Sequence, residues 1–150
     1  MFDDLRDLYQ EVILDHGRRP RHGSRLAAYD ASAKGDNPMC GDRVQVFVRH
    51  DEGGRIAEAG FEARGCAISV ASADLMAETV AGRTDDEVRE LAGRFRDMAR
   101  TGEAAGEDAA IERLRPLAGV HEYPSRVKCA TLPWHALLAA LDGKGEASSE

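Results

Sequence analysis

Three cysteines stand far apart in the chain, at positions 40, 66 and 129. Cys40 lies in Asn37-Pro38-Met39-Cys40-Gly41-Asp42, a Pro/Gly turn before a strand, and such turns carry function more often than cores do. Cys66 follows Gly65 and opens a helical stretch, where the positive end of the helix dipole favours thiolate over thiol. Cys129 opens the last helical segment beside Arg126 and Lys128, and cations also favour the thiolate. A lone cysteine is more often a small buried hydrophobe, but three at element boundaries, each in a setting that lowers its pKa, form a different pattern. Asp42, two residues after Cys40, adds a carboxylate. Three thiolates and one carboxylate make a four-ligand set suited to Zn²⁺ or to iron–sulfur chemistry. Spacing alone does not select between them, because no Cys-x-x-Cys or His-Glu-x-x-His pattern occurs.

Composition narrows the setting in which such thiols would work. The chain has 150 residues, 31% charged and 43% hydrophobic, which fits one soluble domain. An odd number of widely spaced cysteines excludes a closed disulfide framework and points to a reducing compartment. The formal net charge of −7 argues against a general nucleic-acid binder. Arg18, Arg19, Arg21 and Arg25 form a local basic cluster, read as a solvated loop or as a docking patch for an acidic partner. The N-terminus is acidic where a signal peptide would be basic. The longest apolar run, Ala136 to Leu141, is far too short to span a bilayer. The expectation is a cytoplasmic protein with no membrane segment.

The thiols must be positioned by the elements around them. Leu5, Leu8, Tyr9, Val12 and Ile13 make one apolar stripe of a helix over 4–16, ended by Gly17 and Pro20. Leu26 to Ala33 reads as a weak first strand, and Lys34 to Pro38 as a turn. Val44, Val46 and Val48 alternate with polar residues, as do Ala57, Ala59, Phe61 and Ala63 after the Asp51-Glu52-Gly53-Gly54 turn. That is an antiparallel hairpin with Cys40 and Cys66 at the same end. From Ala67 onwards the pattern is helical. Thr84 to Glu87 is a capping box, Ile111 to Ala118 suits a short helix, and the last helix must place Pro133 in its first turn or kink there. Strands first and helices after imply an α+β fold: a small three-stranded antiparallel sheet with helices packed on one face. Residues 1–142 are expected to form a single domain, and 143–150 a disordered tail.

The three cysteine blocks, Asn37 to Asp42, Gly65-Cys66-Ala67-Ile68-Ser69 and Arg126-Val127-Lys128-Cys129-Ala130-Thr131-Leu132, resemble those of the IscU/NifU family of iron–sulfur scaffolds. Leu8-Tyr9, Ile13-Leu14-Asp15-His16 and Arg19-Pro20 resemble the family's opening helix, so the likeness runs from about Leu5 to Leu141. Lys128 stands where IscU-type scaffolds carry histidine, and the stretch between Cys66 and Cys129 holds an extra helical segment around Arg94 to Ile111. Both features resemble the SufU branch of zinc-dependent sulfurtransferases. The resemblance implies an IscU/SufE-like fold with Zn²⁺ bound by Cys40, Asp42, Cys66 and Cys129. It also implies sulfur transfer from a SufS-type, PLP-dependent cysteine desulfurase towards iron–sulfur assembly by a SufBCD-type complex. Cys40 would be the sulfur acceptor, because its Gly41-flanked turn can move. Arg126 would pair with Asp42 or hold the released thiolate.

Other readings remain open on the residues. The same ligands could hold a transient [2Fe–2S] cluster on a scaffold, although Lys128 then leaves one expected ligand missing. A Cys-His hydrolase would use Cys66 or Cys129 with a histidine and no metal. A non-enzymatic domain with structural zinc would never form a persulfide. His16 is read as ending its helix, His135 as lying on a helix flank and Trp134 as packing.

Overall fold

The computed structural model of the chain describes residues 2–38, 41–104, 106 and 108–148, with the backbone alone at 2–9 and 148. A long helix comes first, α1 (Phe2–Arg18). Strands β1 (Ala31–Asn37), β2 (Asp42–His50) and β3 (Ile56–Arg64) follow. The second half is helical: α2 (Ala67–Val80), α3 (Asp85–Thr101), α4 (Ala109–Leu114), a 3₁₀ segment (Arg115–Glu122) and α5 (Pro124–Leu141). A short β4 (Glu146–Ser148) ends the described chain.

The sheet corrects the expectation of three antiparallel strands. Its order is β3-β2-β1-β4, and β4 runs parallel to β1 with Gly35 opposite Ala147. The free edge of β1 offers a row of unpaired backbone groups, and the chain returning from α5 takes them, beginning with Lys34 N–H donating to Gly145 O at 2.9 Å. Residues 146–148 were expected in a disordered tail; Glu-Ala-Ser carries no strand signal, so its pairing depends on β1 being next to it.

β1 also lies further along than its sequence suggests. Lys34 to Asn37, expected as a turn, pair with Gln45 to Asp42. The reason is tertiary. A side chain at Gly35 would press on Leu132 and Ala136 of α5, so the glycine lets helix and strand approach closely.

The hairpin forms as the alternation predicts, with Val44, Val46 and Val48 opposite Ala63, Phe61 and Ala59. Ala57 is the exception. The register shifts after Arg49, His50 pairs with Ile56, and Ile56 is buried while Ala57 is exposed. One face of the sheet packs on α2 and α5 in a single core with α3 and α4. Trp134 is a packing residue, its ring stacked on Phe95 at 4.8 Å. On the other face Phe47 is covered by Tyr29 and Arg25, at 4.9 and 5.3 Å from its ring. Among the described residues no helix is long and apolar enough to cross a membrane.

The α3 capping box forms as expected, with Glu87 N–H donating to Thr84 Oγ1 and Thr84 N–H to the Glu87 carboxylate, each at 3.2 Å. α5 differs. It starts at Pro124, whose missing N–H costs nothing in a first turn, so Pro133 lies in the helix interior instead. There it has no N–H to return to the carbonyl of Cys129.

Candidate metal centre

Asp42 is the first residue of β2 and lies on the same face as Val44 and Val46, almost fully buried. Cys66 follows the last residue of β3 by two and is the N-cap of α2. Because Arg43 pairs with Arg64, the antiparallel register alone puts Asp42 and Cys66 at one end of the sheet. Cys66 N–H donates to Asp42 Oδ1 at 3.0 Å, and Cys66 Sγ donates to Oδ2 at 3.6 Å. Gly65 makes room for this. A Cβ there would sit on the Asp42 carboxylate well inside van der Waals contact.

Cys129 arrives from α5, which packs on β1, β2 and α2. Asp42, Cys66 and Cys129 each bring a ligand atom within 4.8 Å of the other two. Three of the four expected ligands are therefore gathered. Cys40, expected as the fourth ligand and as sulfur acceptor, lies with Met39 outside the described residues. The flanks of its turn are clear: Asn37 pairs with Asp42, Gly41 N–H donates to Asn37 O at 2.8 Å, and Gly41 has φ +77°, a left-handed conformation suited to glycine. The connection between β1 and β2 thus opens at the end of the sheet where the cluster sits.

The setting of Cys129 corrects the sequence reading. It lies in the second turn of α5, fully buried, with Sγ donating to Ser125 O at 3.5 Å. Burial pushes its thiol well above the ordinary range, and the Asp42 carboxylate and Cys66 push it further. Arg126, one turn earlier, faces both thiols, and attraction to Cys66 and then Cys129 raises its own pKa. Burial and the neighbouring carboxylate thus disfavour the Cys129 thiolate unless further positive charge is brought to it. A divalent cation with an affinity for sulfur fits the donor set: two soft thiolates and one carboxylate, with room in a tetrahedral shell for one further ligand.

Other predicted residues go elsewhere. His135 is half-buried on α5, its pKa lowered by burial and by Arg96. Within the basic cluster, Arg21 pairs with Asp15 at 2.5 Å and Arg25 caps Tyr29, so part of its charge is used internally. His16 does more than end its helix, because Nδ1 lies 2.5 Å from Asp74 Oδ2. Sequence reasoning passed over Asp74. The available signal was a carboxylate set among the apolar residues of 67–80.

The fold and this cluster define a small α+β protein with two thiols and a carboxylate gathered where a hairpin meets a helix. The chain belongs to the NifU-like N-terminal domain family, which it matches over residues 8–130. It is 36% identical over 137 residues to an iron–sulfur cluster assembly scaffold protein IscU of Streptococcus pyogenes, covering 91% of this chain and 84% of that one. It is 35% identical over 134 residues to the zinc-dependent sulfurtransferase SufU of Bacillus subtilis, covering 89% of both. Among solved structures it is similar to a candidate iron–sulfur cluster assembly scaffold for the SUF system from Fervidobacterium islandicum. The TM-score there is 0.79 at 32% identity, over 87% of this chain and 94% of that one.

Proposed function

We propose that this chain is a zinc-dependent sulfur acceptor that takes persulfide sulfur from a SufS-type cysteine desulfurase for iron–sulfur cluster assembly. The observation that carries the reading is the convergence of Asp42, Cys66 and Cys129 to within 4.8 Å, with Arg126 against the thiols. The named activity of the Bacillus subtilis relative supports it. Cys40 is the proposed fourth ligand. Bound to these four residues, Zn²⁺ would keep the thiols ionised at neutral pH.

In the proposed transfer, the Cys40 thiolate attacks the outer sulfur of the desulfurase persulfide. The sulfur–sulfur bond breaks, the desulfurase cysteine leaves as thiolate, and Cys40 carries the new persulfide. No electrons are gained or lost overall. Arg126 stabilises thiolate at the site by its charge. A SufBCD-type complex is the proposed recipient of the sulfur, and the cytoplasm the proposed compartment.

A second reading is a scaffold for a transient [2Fe–2S] cluster, which the IscU names of other relatives favour. Metal analysis of the purified protein, followed by a desulfurase assay with and without it and with Cys40→Ala, separates the two. Near-stoichiometric zinc and strong stimulation lost in Cys40→Ala are expected. Bound iron with a cluster spectrum would favour the scaffold, and stimulation that survives Cys40→Ala would remove Cys40 as acceptor.

A further inference from the structure

α2 carries a second group of chemistry-bearing residues away from the thiols. Asp74 and Glu78 are four residues apart and so share one face of α2. They lie about 12 and 18 Å along the helix from Cys66, at 1.5 Å per residue. His16 comes to them from the last turn of α1 and His22 from the segment that follows. His16, Asp74 and Glu78 each bring a ligand atom within 4.8 Å of the other two. His22 Nε2 lies 3.5 Å from Glu78 Oε1. α1 and α2 thus bring one imidazole and two carboxylates together, with a second imidazole beside Glu78.

The hydrogen bonding within the group matches the way proteins hold histidine on a metal. The Asp74 side chain is fully buried. Its Oδ1 accepts the His22 backbone N–H at 2.8 Å, and its Oδ2 lies 2.5 Å from His16 Nδ1. A carboxylate against an imidazole nitrogen is the arrangement found behind metal-bound histidines. His22 and Glu78 are partly open to solvent and line a cleft of about 370 Å³, which gives an ion a way in. Arg21 feels the charge of Asp74 and Glu78 but is itself tied to Asp15.

We infer that the His16–Asp74–Glu78 group, with His22 beside Glu78, forms a second divalent-metal site with nitrogen and oxygen ligands, which clamps the end of α1 to α2. The donor set selects the class of ion: Zn²⁺, Co²⁺, Fe²⁺ or Mn²⁺ rather than a thiophilic ion such as Cu⁺.

The test uses the full chain, first loaded with zinc at the thiol centre and then titrated with Co²⁺ by calorimetry and visible absorption. A further equivalent of cobalt is expected, showing ligand-field bands without thiolate-to-cobalt charge transfer. His22→Gln and Glu78→Gln, both at partly exposed positions, should each weaken that equivalent at least about tenfold, and Asp74→Asn by about 10–100-fold, as for other residues behind metal ligands. The zinc content of the thiol centre should be unchanged in all three. No uptake beyond the thiol centre, or uptake that His22→Gln and Glu78→Gln leave unchanged, overturns the inference. Failure of the thiol centre itself would show separately, as failure to take up zinc before cobalt is added.

Discussion

Asp42 holds Cys66 through both oxygens of one carboxylate: Oδ1 accepts the Cys66 backbone N–H at 3.0 Å, and Oδ2 accepts from Sγ at 3.6 Å. Side chain and backbone are thereby fixed together at the junction of β3 and α2. The carboxylate reaches that position only because residue 65 has no Cβ. Several expected outcomes trace back to this contact and to the charges around it.

Gly65→Ala forces the Asp42 carboxylate away from Cys66. Overpacking at a tight site costs about 1–3 kcal/mol, so the melting temperature should fall. Zinc content should fall further than stability alone accounts for. A variant with wild-type zinc and an unchanged melting temperature would show that Asp42 is not held by this contact.

Cys129 makes the metal-free protein sensitive to alkali. Its folded pKa is raised above the ordinary 9.0 by burial, Asp42 and Cys66. A raised folded pKa contributes stability below the unfolded value that is lost as pH climbs towards the folded one. The metal-free chain should therefore lose stability progressively above about pH 9, and Cys129→Ser should flatten that slope. Zinc binding must displace the same proton, so apparent zinc affinity should increase about tenfold per pH unit per proton released through the neutral range. Both are measured by denaturation and metal competition across a pH series.

His50 forms a second pH-dependent tie. Nδ1 lies 2.6 Å from Asp30 and Nε2 2.7 Å from Asp85. Burial acts to lower its pKa, but the two carboxylates outweigh burial and raise it. The tie contributes fully below the ordinary value of 6.5 and weakens as pH rises through the raised value. His50→Gln should cost up to about 1 kcal/mol at pH 5, or about 2–4 °C in melting temperature, and less at pH 9. An equal loss at both pH values would show that the histidine acts by packing alone.

Arg126→Ala should leave zinc content near wild type while slowing sulfur acceptance from the desulfurase by about tenfold, the effect of ~1.4 kcal/mol of lost thiolate stabilisation. Arg126→Lys should recover part of the rate, because the charge is kept while the planar fork is lost. Desulfurase turnover and the pH dependence of thiol labelling read the two together. Loss of zinc in Arg126→Ala would make the residue structural instead.

The elements that formed as read depend on neighbours close in sequence. The Thr84–Glu87 box is complete within four residues, and the Asp51–Gly54 turn sets the register that brings Asp42 to Cys66. Where the reading slipped, the deciding contact came from far along the chain. Lys34 to Asn37 became strand because Gly35 lies under Leu132 and Ala136 of α5, and β4 exists because α5 returns the chain to the edge of β1.

The same division runs through the site. The sequence by itself determined which thiols and which nearby carboxylate could serve as ligands, and through local hairpin geometry it determined that Asp42 and Cys66 meet. Only the tertiary structure decided that Cys129 joins them, that its thiol is held protonated in the absence of a cation, and that Asp74 lies buried between His16 and His22. Those outcomes turn on desolvation and on charges brought together across many tens of residues, which no spacing within the chain encodes.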